Sequence, residues 1–273
     1  MKKKLKIIKI LLSLIILVSV GFGVYYTLNV ARDDYRVKDD SYSSKVLPKE
    51  FDGFKVGYLS DLNLSDGNDL KRLKKIVKSL NNKKVDLVIF GGDIFNSTAF
   101  ENEQIIQILK SIETNYGKFG VLGEKDLIDS ATTQSILTES GFEVLHNEYR
   151  KIYYNNSSIS LFGLENNGDV ASLINDTNKD SYKLVTIHQP DYFSEVSKSD
   201  IQLQLSGHTL GGYIKLPIIG GIVTKDNGSK YVSGSHSKNN SKLLISNGVG
   251  YESSQDYRLF TFNEINIITL QSE

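Results

Sequence analysis

The 273-residue chain has no cysteine. That excludes disulfides, a thiolate metal site and a cysteine nucleophile. Tryptophan is also absent, and there are only three prolines; no function follows from either. The formal net charge is zero, but this balance hides an asymmetry. Residues 1–28 hold five lysines and no acidic side chain, which leaves 27 basic against 32 acidic residues in the remainder, about −5. An acidic body argues against a nucleic-acid-binding face, so no nucleic-acid partner is expected.

Charge is missing altogether from one stretch. Residues 10–28 are a run of 19 without a charged side chain, long enough to cross a hydrocarbon core as a helix. Lys2, Lys3, Lys4, Lys6 and Lys9 precede it and predict a cytoplasmic amino terminus with an outward-facing body. A cleaved signal peptide is the competing reading, but no small-x-small pattern follows Ser19. The expected organisation is therefore a transmembrane signal-anchor over 1–28, a polar tether over 29–46 with an edge strand near 35–37, and one domain over 47–273. That domain is large enough to bury a sizeable core.

Within the body, one device recurs. The stretch 85–96, VDLVIFGGDIFN, reads as a short buried strand that ends at Gly91-Gly92 and then Asp93. In open α/β sheets the carboxyl edge of the strands is where ligands bind. The chain repeats this at 54–61 (ending in Asp61), 119–124 (Gly123 then Glu124), 184–188 (His188) and 201–208 (Gly207 then His208). Five strand ends would deliver Asp61, Asp93, Glu124, His188 and His208 to one edge. Those ligand types suit a divalent ion of the zinc, manganese or iron kind.

Between these strands the apolar spacing predicts helices over 70–80 with Asp69 as cap, 101–112, and 132–140 with Gly141 beyond its end. A short helix is expected over 170–175 and a helical turn over 191–196. Further strands are expected at 142–145, 149–154, 158–164, 231–235, 242–246, 258–261 and 265–270, with a hairpin turn at 155–157. Strand–helix alternation followed by a run of strands suggests two packed sheets with helices outside.

The ordered motifs resemble the calcineurin-like metallophosphoesterases, and among them the membrane-anchored bacterial phosphodiesterases. The resemblance covers about 47–270. The family pattern is Asp-x-His, Gly-Asp-x-x-Asp/Asn, Gly-Asn-His-Asp/Glu, a lone His, then Gly-His-x-His. Here it reads Asp61-Leu62-Asn63, Gly92-Asp93-Ile94-Phe95-Asn96, Gly123-Glu124-Lys125-Asp126, His188 and Gly207-His208-Thr209-Leu210. The flanking stretches His188-Gln189-Pro190-Asp191, 211–217 and 246–250 are similar too. The resemblance implies a four-layer αββα sandwich and hydrolysis of a phosphoester on a lipid, a cell-wall polymer or a nucleotide.

It also implies roles. Two metals share the position of Asp93 in the family. The first also takes the positions of Asp61, Asn63 and Leu210, so both of its imidazoles are gone here. The second takes those of Glu124, His188 and His208, a set complete in number, so one ion per chain is expected rather than two. Lys125 stands where the family has a histidine that serves the leaving group or a phosphate oxygen. An ammonium neutralises phosphate charge but is a poor proton donor at neutral pH. Asp126 matches the acidic position that orients this neighbour, or is a helix cap. Glu165 or Asp169 are candidates to compensate for Leu210. Two functions stay open: a metal-dependent hydrolase, and a catalytically inactive relative that binds a phosphorylated ligand or acts as a scaffold.

Overall fold

The fold described here is that of a computed structural model, which describes residues 2–29, 34–166, 168–174, 181–216, 219–252 and 258–273. The first element, α1 (Lys2–Asn29), is a 28-residue helix whose Leu11, Ile15, Ile16 and Leu17 are exposed. By length and composition it is able to cross a membrane.

Two six-stranded sheets follow. The first has the order β1 (Tyr35–Ser44), β14 (Asn263–Ser272), β2 (Lys55–Leu59), β3 (Leu87–Phe90), β4 (Lys118–Gly120), β5 (Phe142–Val144). Its β2, β3, β4 and β5 run parallel. The second has the order β12 (Gly234–Lys238), β13 (Ser241–Ile245), β9 (Leu203–Ser206), β8 (Lys183–Ile187), β7 (Ser157–Leu164), β6 (Glu148–Tyr154). There β7, β8, β9 and β13 are parallel. A two-stranded ribbon, β10 (Lys215–Leu216) with β11 (Gly220–Gly221), lies outside both sheets.

Three apolar cores separate four layers. Phe51, Tyr58, Ile89, Leu161, Leu184 and Leu205 fill the space between the sheets. On the outer face of the first sheet, α2 (Gly67–Asn82), α3 (Asn102–Lys110) and α4 (Ser130–Glu139) bury Leu73, Ile76, Ile105 and Ile136. On the outer face of the second, α5 (Val170–Ile174) and α6 (Phe193–Val196) cover Phe162, Val185 and Ile187. This is the expected αββα sandwich. Each fully buried large apolar side chain contributes on the order of 1.5–3 kcal/mol. Parallel strands covered on both faces read as continuous apolar runs, which is why β3 and β8 are fully buried over LVIF and KLVTI.

Four expectations need correction. The stretch given as a tether holds β1, which starts where the edge strand near 35–37 was expected but runs on to Ser44 and pairs parallel with β14 across ten residues, Tyr35 with Asn263 through Ser44 with Ser272. Its polar sequence, YRVKDDSYSS, suits an edge strand, where few side chains reach the core. Helix α2 starts at Gly67 with Asp66 as its cap; Asp69 closes the capping box by accepting from the Asp66 N–H. Strand β12 begins at Gly234, not 231; the Tyr231 N–H, like those of Ser229 and Lys230, goes to the Asp191 carboxylate and not to a strand neighbour. Residues 258–261 form no strand: Phe260 has a left-handed backbone, φ 58°, and Leu259 makes one isolated bridge to Ile214. Asn175 and Pro217, expected in a helix and in a family-like stretch, lie outside the described residues.

Candidate metal centre

The parallel strands of both sheets present their carboxyl ends at one edge, and the five predicted side chains follow those ends. The loops after β2 and β3 are zipped together by backbone bonds. Asp61 N donates to Gly92 O (2.9 Å), Asn63 N to Asp93 O (3.1 Å) and Leu64 N to Ile94 O (2.8 Å). Asp61, Asn63, Asp93, His208 and Leu210 all have left-handed backbones, with φ between 44° and 70°. Such conformations cost energy in residues other than glycine and collect where surrounding structure over-determines them. Gly123 lets this happen at close quarters: a Cβ there would lie 2.2 Å from Asp93 Oδ1.

Four donor atoms meet in the gap between the sheets. His188 Nε2 is 3.3 Å from Asp93 Oδ2 and 3.2 Å from Glu124 Oε2, and His208 Nδ1 is 2.8 Å from Glu124 Oε1. Yet Asp93 Oδ2, Glu124 Oε2, His188 Nε2 and His208 Nδ1 are all buried without a hydrogen-bond partner. The atoms are close but not aligned on one another, which is how ligands around an ion are arranged. The opposite nitrogens are held. His188 Nδ1 meets Gly91 O at 2.6 Å and His208 Nε2 meets Asp226 O at 2.8 Å. A backbone carbonyl on one ring nitrogen fixes the tautomer and leaves a lone pair on the other, as for metal-binding imidazoles.

Electrostatics agree. Burial alone would lower the proton affinity of His188, but Asp93 and Glu124 outweigh it and push its pKa well above the ordinary value. Burial would raise the Glu124 carboxyl; His188 and His208 outweigh it and hold it far below the usual range. A second cluster, Asp61 with Asp93 and His188, also lies within ion-binding distance. Asp61, however, already accepts the His208 N–H with both oxygens (3.2 and 3.1 Å), so the unsatisfied atoms favour the Glu124 side.

The other predicted residues divide. Lys125 donates its backbone N–H to Asp93 Oδ1 (3.0 Å), and its ammonium reaches Asn63 Oδ1 (2.8 Å). Asp126 is buried and does not face the cleft. It accepts from Asp93 N (2.7 Å), Ile94 N (2.9 Å) and Gly123 N (2.9 Å), so it ties two metal-edge loops together. Leu210 is fully buried and its hydrocarbon side chain offers no donor. Neither candidate replacement reaches it. Glu165 takes His146 Nδ1 at 2.6 Å, and Asp169 accepts from Ala171 N.

A calcineurin-like phosphoesterase domain matches residues 54–212, more than half of the chain. The chain belongs to the calcineurin-like phosphoesterases. The uncharacterized metallophosphoesterase YkuE of Bacillus subtilis is 29% identical over 263 residues, 93% of this chain and 92% of that protein. The phosphodiesterase YaeI of Escherichia coli is 26% identical over 217 residues, 72% of this chain and 75% of its own length. A zebrafish (Danio rerio) transmembrane protein with a metallophosphoesterase domain is 24% identical over 219 residues, 74% of this chain but 50% of that protein. Calcineurin-like phosphoesterases bind divalent metal, and the orphaned donors described above fit such an ion.

Sequence reasoning missed several contributors. Asp226 acts through its carbonyl, which no side-chain motif reveals. Glu252 contacts Lys125 Nζ at 3.0 Å and also pairs with Lys225. Arg258 is buried and donates to Asn247 O (2.6 Å) and Gly250 O (2.5 Å) in the loop beneath Asp61. Asp191 was visible as part of His188-Gln189-Pro190-Asp191, and the structure gives its work. Its carboxylate clamps three N–H groups at 229–231, and its own N–H donates to Asn227 O (3.1 Å). It thereby pins the turn whose Asp226 carbonyl orients His208. Asp191→Ala is expected to weaken metal retention, at most by the about 10–100-fold that losing the His208 partner itself would cost. Chelator competition measures it; an unchanged affinity would show that the turn holds without the clamp.

Proposed function

We propose that this protein is a membrane-anchored phosphoesterase that works with one divalent ion, with its body on the outer side of the membrane. What carries the reading is the convergence of four unpartnered buried donors, from Asp93, Glu124, His188 and His208, whose imidazoles are each fixed from behind by a carbonyl. Those four residues would hold the ion; Asp61 lies beside them. When bound, the ion supplies Lewis acidity to a phosphoryl oxygen and to a water.

The chain's own residues do the rest. Asp126 fixes the Asp93 and Gly123 backbones, so the donors keep their places as charge changes nearby. Lys125 and Lys225 put positive charge at the mouth, suited to an anionic ester. Asn63 binds an ammonium rather than an ion, and Leu210 binds nothing polar, so the first of the family's two positions is degenerate. Anchoring rests on α1 and its lysines, with the transmembrane relative as a parallel. The substrate class suggested by this placement is a phosphorylated lipid, cell-wall polymer or nucleotide.

The test is to purify the full chain in detergent, load it with manganese, zinc or iron, and count ions by elemental analysis alongside turnover of chromogenic phosphomonoester and phosphodiester substrates. About one ion per chain, abolished in His208→Ala, with turnover that follows the ion, is the expected result. An ion without turnover on any phosphoester would favour the non-catalytic binding role, which Leu210 and Asn63 make the second reading. No ion in the wild-type chain would sink the proposal.

A further inference from the structure

The Lys125 ammonium is placed where the family's first ion would need ligands. Its Nζ lies 2.8 Å from Asn63 Oδ1 and 3.4 Å from Asn96 Oδ1. On its other side it lies 3.0 Å from Glu252 Oε1, which is shared with the Lys225 ammonium. The main chain of the same residue donates to Asp93 Oδ1. One residue thus touches both Asp93, the position shared between two metals in the family, and Asn63, which has lost its imidazole. The oxygen that Asn63 could offer an ion is engaged by this ammonium, while Leu210 contributes only hydrocarbon.

Charge leads the same way. Asp61, Asp93, Glu124 and Glu252 face Lys125, Lys225 and the buried Arg258, which feels the charge of Asp61. Four carboxylates against three fixed cations leave a small negative excess. One divalent ion already turns that cleft cationic. A second would add like charge next to the Lys125 ammonium without a full ligand set. Burial alone would raise the Glu252 carboxyl, but the two lysines outweigh it and hold it at about 2. Glu252 is therefore a carboxylate bound by two ammoniums at the cleft, in the manner of an oxyanion. The Lys125 and Lys225 side chains each keep 15% of their surface accessible, so a phosphate oxygen can reach them.

We propose that Lys125 takes the place of the first of the family's two metal ions: it is a fixed cation that limits the chain to one ion and, with Lys225, grips the phosphate oxygens of the substrate that Glu252 mimics in the free protein. The inference rests on the one-ion reading above for its metal count, but its phosphate-binding half stands apart from it. Removing one charge-assisted contact costs about 1.5–3 kcal/mol, which is a loss of roughly 10- to 150-fold in affinity.

The experiment uses the full chain in detergent and inorganic phosphate as probe, with binding followed by calorimetry in the presence of manganese and again after chelation. Lys125→Met removes the charge and keeps the length; Lys125→Arg keeps the charge. Wild type is expected to take one manganese ion per chain. Lys125→Met is expected to lose at least about tenfold in phosphate affinity under both conditions, and Lys125→Arg to stay within a few-fold of wild type. Two ions in the wild type, or phosphate held by Lys125→Met as tightly as by wild type, would overturn it. If wild type takes no ion at all, the one-ion reading fails. The chelated comparison of wild type, Lys125→Met and Lys125→Arg then still decides whether the ammonium grips phosphate. Should Lys125→Met fail to fold, Lys225→Met in the same assay reads the other half of the pair and is expected to show the same direction of change; no change there would overturn the paired grip.

Discussion

Asp93→Ala is expected to lose the bound ion and phosphoester turnover together, with turnover down by at least about a thousandfold. A metal's charge stabilisation in such chemistry is worth several kcal/mol, and each 1.4 kcal/mol is a factor of ten in rate. Asp93 joins His188, Lys125 and Asp126 at the centre. Its Oδ2 faces His188, its Oδ1 accepts the Lys125 N–H, and its backbone is held by Asp126. Stability should move far less. The substitution leaves the Lys125 N–H without its acceptor, at a cost of about 1–3 kcal/mol, but it also removes a charge that raises the Asp126 pKa. Thermal unfolding of the ion-free variant is therefore expected within several degrees of wild type, while elemental analysis shows no ion. A variant that keeps its ion and its turnover would remove Asp93 from the centre. One that loses turnover only because it unfolds would leave Asp93 a structural residue.

The strand-end residues were legible because parallel strands buried on both faces leave a simple trace: an apolar run, a glycine, then a polar side chain. That trace places Asp93 after LVIF and His208 after LQLS without any knowledge of how the sheets pack. The apolar stripe of α2 was equally plain, yet its start was misjudged by three residues, because Asp66 and Asp69 are the same residue type and only the reciprocal bonds tell cap from N3. Strand β1 was legible only over its first residues, 35–37, and its continuation to Ser44 was not, since an edge strand needs backbone partners more than apolar side chains. What sequence could not reach is contact made across long separations. Glu252 and Lys225 carry no pattern that points at Lys125; the three come together at Glu252 only because the segments after β11 and β13 fold over the same cleft edge. The Asp226 carbonyl is invisible for a simpler reason: any residue could supply it.

Asp126 is expected to matter more to the fold than to the chemistry. Its carboxylate accepts three N–H groups, from Asp93, Ile94 and Gly123, and all lie in buried backbone. Asp126→Ala leaves three donors unpartnered; at about 1–3 kcal/mol each, with partial relaxation, the loss is on the order of 3–5 kcal/mol. Asp126→Asn should cost less, because its single carbonyl oxygen can still accept two of the three. The pair also gives a signature in pH. Burial and the charge of Asp93 push the Asp126 carboxyl up to about 7, against three N–H donors that pull it down. A carboxyl raised in the folded state holds more protons there than in the unfolded chain. Its contribution to stability is therefore greatest at low pH and falls as pH climbs from about 4 through about 7. Asp126→Asn cannot titrate, so the gap between wild type and this variant should shift in its favour across that window in ion-free protein. Bound metal should blunt the shift, since a cation beside Asp93 offsets the charge that raises Asp126. Thermal unfolding at pH 4.5 and 7.5, with and without manganese, reads all of this. A gap that stays constant with pH would mean that the three N–H donors keep Asp126 ionised throughout, and that its role is to anchor backbone alone.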